Sequence, residues 1–135
     1  MFRRRWLAGF IAVVLGLGLA GCSASPSDIR PIAAQALAAT RSAETGLRLL
    51  DGGATFSTTD DALLGDMVTQ LGDVMRQLET TQTSGASAER MRVQVLGASR
   101  AAVDAIHDAQ QNRREEARRE LRSASAELAR LAGGR

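Results

Sequence analysis

Lysine and tyrosine are absent from the chain, and cysteine, histidine and tryptophan occur once each, as Cys22, His107 and Trp6. Each shortage removes a kind of chemistry. A single thiol closes no disulfide within the chain and builds no thiolate metal cage. A single imidazole falls short of the three or four converging ligands that a robust metal site takes. Of the four aromatic residues, Phe2, Trp6 and Phe10 lie in the first ten positions, which leaves Phe56 alone beyond them. Base-stacking platforms and quaternary-ammonium cages need several aromatic faces, so those ligand classes are not expected. There is no glycine-rich phosphate loop, no Ser/His/Asp set in a credible scaffold and no carboxylate pair outside helix-start positions. No catalytic residue is assigned, and the chain is not expected to be an enzyme.

What is present begins with an address. Arg3, Arg4 and Arg5 form a positive start, Trp6 to Ala20 is a mostly apolar stretch of 15 residues, and Leu19-Ala20-Gly21-Cys22 follows. That is the layout of a secretory signal peptide. The apolar stretch is shorter than the roughly 20 residues that span a bilayer, so a permanent transmembrane helix is the weaker reading. An ordinary signal peptide needs no cysteine. "LAGC" resembles the lipobox of bacterial lipoproteins, Leu-Ala/Ser-Gly/Ala-Cys, at all four positions. The resemblance covers residues 1–22 and implies that the Cys22 thiol takes a diacylglyceryl group and becomes the first mature residue after cleavage. Two or three acyl chains anchor far more firmly than one, at about 0.8 kcal/mol per buried CH₂. Arg4-Arg5-Trp6-Leu7 also faintly resembles a twin-arginine export signal. It lacks the Ser/Thr before the arginines and the basic residue after the apolar pair, and a plain arginine start explains the same residues.

Removal of residues 1–21 changes the charge balance. It takes three of the 17 Arg and none of the 15 acids, leaving 14 against 15, a formal charge of −1. A globally basic chain suited to nucleic acid is therefore a property of the precursor alone. The expected organisation is a signal peptide over 1–21, a lipidated cysteine and short tether over 22–27, and a helical domain over 28–135.

Within that domain the pattern is helical. The first helix is expected from about Asp28 to Asp51, ending at Gly52-Gly53, with Pro31 tolerated only near its start. Ile29, Ile32, Ala36, Ala39, Ala43, Gly46 and Leu50 recur in steps of three and four, a seam of mostly small residues that permits close helix approach. The second follows the cap candidates Ser57-Thr58-Thr59 and carries Leu64, Met67, Leu71, Val74 and Leu78, widened by Leu63, Val68 and Met75. A third begins near Ser87 and buries Met91, Val95, Ala98, Ala102, Ile106 and Ala109. At Gln110-Gln111-Asn112 a turn is expected, with Asn112 and Glu115 forming a capping box for a last helix over about 113–132. That helix buries Ala117, Leu121, Ala124, Leu128 and Leu131. The alternative is one long helix across 87–132. Four helices with short polar links make an all-α, antiparallel up-down-up-down bundle. Residues 22–86 hold 4 Arg and 8 acids, and residues 87–135 hold 10 Arg and 7 acids, so the halves are expected to attract each other.

Three features compete for function. His107, with Asp104 and Asp108 beside it, reads as an exposed helix-end residue rather than a metal ligand. Met67, Met75 and Met91 are the conceivable haem partners for it, yet methionine at helical spacing reads first as core filler. Gly65 and Gly72 lie seven apart inside the second helix, where each costs about 1 kcal/mol relative to Ala. That spacing puts them on one stripe, open to a partner's close approach, against the simpler reading of drift in a chain rich in glycine and alanine. "NRREEARRELR", Asn112 to Arg122, reads as a self-paired solvated face, Glu115 with Arg119 and Arg113 with Glu116. Its Arg113, Arg114, Arg118, Arg119 and Arg122 are candidate contacts for a protein partner or anionic headgroups. The expectation is a membrane-anchored, extracytoplasmic lipoprotein, with an acyl lipid on Cys22 and no other cofactor. It would act as a protein-interaction or structural module for an envelope partner, and not on nucleic acid. The alternative is a small-ligand, metal or haem carrier using the bundle interior.

Overall fold

The computed structural model describes residues 23–53 and 57–133. Over those residues it is a bundle of four helices, α1 (Pro26–Asp51), α2 (Ser57–Thr80), α3 (Ala86–Gln110) and α4 (Arg114–Gly133). Neighbours in sequence pack side by side and α4 returns to α1, as an up-down-up-down bundle requires. Among the described residues, the diagonal pair α1 and α3 also touch while α2 and α4 do not. The small seam explains this asymmetry. Ala33, Ala36, Ala39 and Ala43 of α1 and Ala98, Ala102, Ala105 and Ala109 of α3 are all buried, and methyl-sized side chains let two backbones draw together.

The expected core positions hold with a few shifts. Leu64, Met67, Leu71, Val74 and Leu78 of α2 are all buried, with Leu63, Val68 and Met75 packed at their edge. On α1 the seam ends on Leu47, fully buried, and Leu50 packs only partly against the core. On α3, Met91 is half-buried, while Ala88, Leu96 and Ser99 join the buried face. At Gly46 α1 lies close against α2: a Cβ there would stand 2.9 Å from Leu63 Cδ2.

The two ends of the bundle are built differently from expectation. At the first, the tether is shorter. Ser25 already sits at the N-cap of α1 with extended backbone, and Pro26 opens the helix as its first residue. Pro31 therefore falls in the second turn, on the exposed side, and its missing N–H leaves the carbonyl of exposed Ser27 without a helical donor. The Asp28 carboxylate accepts the Ser25 N–H and hydroxyl, both at 2.8 Å, which holds its pKa below the ordinary value. Ala24 pairs with the α2–α3 loop, donating its N–H to Gln82 O at 2.7 Å and accepting the Ser84 N–H at 2.9 Å. Only Ser23 and Ala24 separate Cys22 from the cap of α1, and Ala24 is fastened to the bundle. Cys22 itself lies outside the described residues.

The loop that holds Ala24 is fastened on its other side. Arg92 grips Glu89 through two nitrogens at 2.6 and 2.9 Å and donates to Leu78 O at 3.2 Å. Thr83 donates to the same carboxylate at 2.8 Å. These bonds pull the Glu89 pKa down to about 2, with the Arg92 hydrogen bonds the largest cause.

At the opposite end the α3–α4 turn is present, but Asn112 plays another part. Its φ of 67° is left-handed, outside the extended geometry of an N-cap. Asn112 N–H reaches Ala109 O at 3.1 Å and Arg113 N–H reaches Asp108 O at 2.9 Å. This is a Schellman ending for α3, in which asparagine tolerates the left-handed position that usually demands glycine. The expected Asn112–Glu115 capping box is thus replaced by a C-terminal stop.

Candidate functional site

The arginines around the start of α4 do not make the two pairs that the sequence spacing implies. Arg113 turns back to Asp108 of α3 at 2.7 Å. Arg114, at 3.4 Å, and Arg118 both reach across to Asp51 at the end of α1, and Arg118 also touches Glu115. Neither the Glu115–Arg119 nor the Arg113–Glu116 pair forms. The favourable partner is Asp51, because α4 starts beside the place where α1 stops. The two pairs to Asp51, with Arg100–Glu79 between α3 and α2, join the acidic first half to the more basic second half.

Between α1 and α4 the same packing leaves a groove of about 500 Å³ lined by Arg41, Glu44, Thr45, Arg48, Arg118 and Arg122. Arg41 and Arg48 are seven apart on α1, and Arg118 and Arg122 four apart on α4, so each pair shares one stripe. The single acid there is already engaged: Ser125 of α4 donates its hydroxyl to the Glu44 carboxylate. Arg48 donates to Thr45 at 3.2 Å. Among the described residues, Arg41, Arg48 and Arg122 have no carboxylate at ion-pair distance, and the buried Nε of Arg118 has no hydrogen-bond partner. Four guanidinium groups around one committed carboxylate make a groove suited to carboxylates or phosphates, which arginine takes in two-pronged fashion.

Sequence reading found the α4 half of this groove and missed Arg41 and Arg48. Their signal was visible as two arginines at a heptad spacing on the first helix, but nothing local said that this stripe would border the last helix. Arg119 is exposed and outside the groove.

The other candidates stand apart from it. Gly65 and Gly72 are half-buried on α2, away from the arginines. An added Cβ meets nothing within 4 Å at Gly65, and at Gly72 only Arg76 Nη1 at 4.0 Å. Among the described residues, no other helix comes within 4 Å of either added Cβ. His107 is exposed in the last turn of α3, and among the described residues no three His, Cys, Asp or Glu side chains gather for a metal. Met67 is buried in the core, and Met75 and Met91 pack at its edge. No helix among the described residues is long and apolar enough to cross a membrane. No family model matches the chain, and neither a curated protein nor a solved structure is similar to it.

Proposed function

We propose that this chain is a bacterial cell-envelope lipoprotein, anchored through acyl chains on Cys22, whose bundle holds a protein partner without catalysis. The address rests on the signal-like start and the four-position lipobox match. The observation that carries the binding role is the arginine groove between α1 and α4. Its charge is mostly uncommitted, and its residues begin 15 positions along α1 from Pro26, about 23 Å at about 1.5 Å per residue. A domain fastened near the bilayer at one end and basic on its flank is suited to an acidic segment of a neighbouring envelope protein.

The carrier reading has less support. Ile29, Leu47, Leu71, Leu78, Ile106, Leu121 and Leu128 are fully buried and fill the interior where a ligand would have to lie.

The test is capture from crosslinked cells with full-length wild type and with Arg41→Gln plus Arg122→Gln. The expected result is a reproducible envelope partner with an acidic segment, its yield falling severalfold in the variant while lipoprotein levels stay equal. Undiminished capture by the variant contradicts the groove's role. A chromophore or small molecule copurifying in stoichiometric amount favours the carrier.

A further inference from the structure

A second arginine cluster lies at the end of the bundle where Ala24 is fastened. A notch of about 450 Å³ there is lined by Pro26, Arg30, Ser87, Arg90, Met91, Gln94, Arg130 and Leu131. Three helices contribute one arginine each: Arg30 from α1, Arg90 from α3 and Arg130 from α4. The carboxylates nearest these arginines in sequence already have partners. Asp28 accepts from Ser25, Glu89 is gripped by Arg92 and Thr83, and Glu127 pairs with Arg130 at 2.6 Å. Among the described residues, Arg30 and Arg90 have no ion-pair partner, and both are exposed.

Position decides what such a notch meets. Pro26, on its rim, is four residues from Cys22. With Ser25 capping α1 and Ala24 hydrogen-bonded to residues 82 and 84, only Ser23 is left between the fastened chain and the cysteine. One or two residues at about 3.3 Å each cannot carry the notch far from whatever holds Cys22. The arginines expected to meet headgroups from the sequence, Arg113 to Arg122, instead begin at the other end of the bundle, beside Asp51.

We infer that this notch seats the phosphate of an anionic bilayer lipid, gripped by Arg30 and Arg90, with Met91 and Leu131 against the glycerol end of the lipid. The inference rests on the anchoring reading for its orientation. An arginine fork matches two phosphate oxygens, and the anionic leaflet surface concentrates its lipids beneath a basic, closely held domain. The effect is to fix how the bundle stands on the membrane, turning the Arg41–Arg122 groove outward along its flank.

The test uses the full chain purified from cell envelopes and reconstituted into vesicles containing phosphatidylglycerol and a headgroup-nitroxide lipid. A fluorophore is placed at Ala86→Cys, the exposed first residue of α3, or at Thr45→Cys as the distant control. Strong quenching at position 86 and little at 45 is expected, with quenching at 86 falling at least about twofold in Arg30→Gln plus Arg90→Gln and in pure phosphatidylcholine, where the surface charge is lost. Quenching at 86 that is indifferent to both changes overturns the inference, as does equal quenching at both positions. Loss of the contact on adding inorganic phosphate, but not chloride of equal ionic strength, reassigns the notch to free phosphate and also overturns it. Mass spectrometry of Cys22 on the same sample separates the two claims. An acylated cysteine without the contact defeats the notch alone, and the contact without acylation defeats the anchor alone.

Discussion

Thr40 and Ser99 are both hydroxyl residues with no solvent exposure, and they fare differently. Thr40 donates to Ala36 O one turn back, at 2.8 Å. The Ser99 hydroxyl has no partner. An unmet buried hydroxyl costs about 1–3 kcal/mol in lost hydration, whereas a satisfied one is roughly neutral. Ser99→Ala should therefore raise stability by about 1 kcal/mol in chemical denaturation, while Thr40→Ala should not. Glu89 makes a second prediction at this scale. Its pKa is lowered from 4.5 to about 2 in the folded chain, so the stability it contributes is complete above pH 4.5 and drains away as pH falls from there towards 2. Glu89→Gln should melt earlier than wild type at pH 7, and the difference between them should close as the pH approaches 2.

At the scale of the helix, the periodic pattern carried most of the information. Every apolar position expected on α2 is buried or packed at the core's edge, because a three-four repeat admits only one inward face. Leu71 is fully buried at the centre of that face. Leu71→Asp should cost several kcal/mol, or force the carboxyl to stay protonated, and so abolish cooperative melting near neutral pH. What the pattern left open was how helices end and whom their charges meet. Asn112 is compatible with starting α4 or stopping α3, and only the backbone sign at that residue decides. Arg114 and Arg118 find Asp51, 63 residues distant for Arg114, so local spacing favoured the wrong partners. The glycines divide in the same way. Gly46 lies where α2 comes close, while Gly65 and Gly72 face open space, so Gly65→Ala plus Gly72→Ala fits without clash and should stabilise the domain by up to about 2 kcal/mol. If the α2 stripe is a contact surface, that double variant should capture less partner despite its greater stability. Full capture leaves the arginine groove as the surface in use.

For the whole molecule, the bundle was legible because four amphipathic segments of similar length with short links have few other ways to bury their faces. The candidate site was half legible. A groove between the first and last helices is a product of closure, and no window of sequence contains both of its walls. The fastening of Ala24 was hidden for a similar reason, since a short tether of small residues gives no sign that a loop some 60 positions later will hold it. Under the proposed anchoring, that fastening would hold the bundle close to the lipid, so the proposal turns first on Cys22. The most direct measurement is metabolic labelling of growing cells with an alkyne fatty acid, comparing wild type with Cys22→Ser. Label is expected on the wild type and none on the variant, which accumulates as the uncleaved precursor because serine lacks the thiol that receives the glyceride. Equal labelling of the two, or none on the wild type, would contradict it.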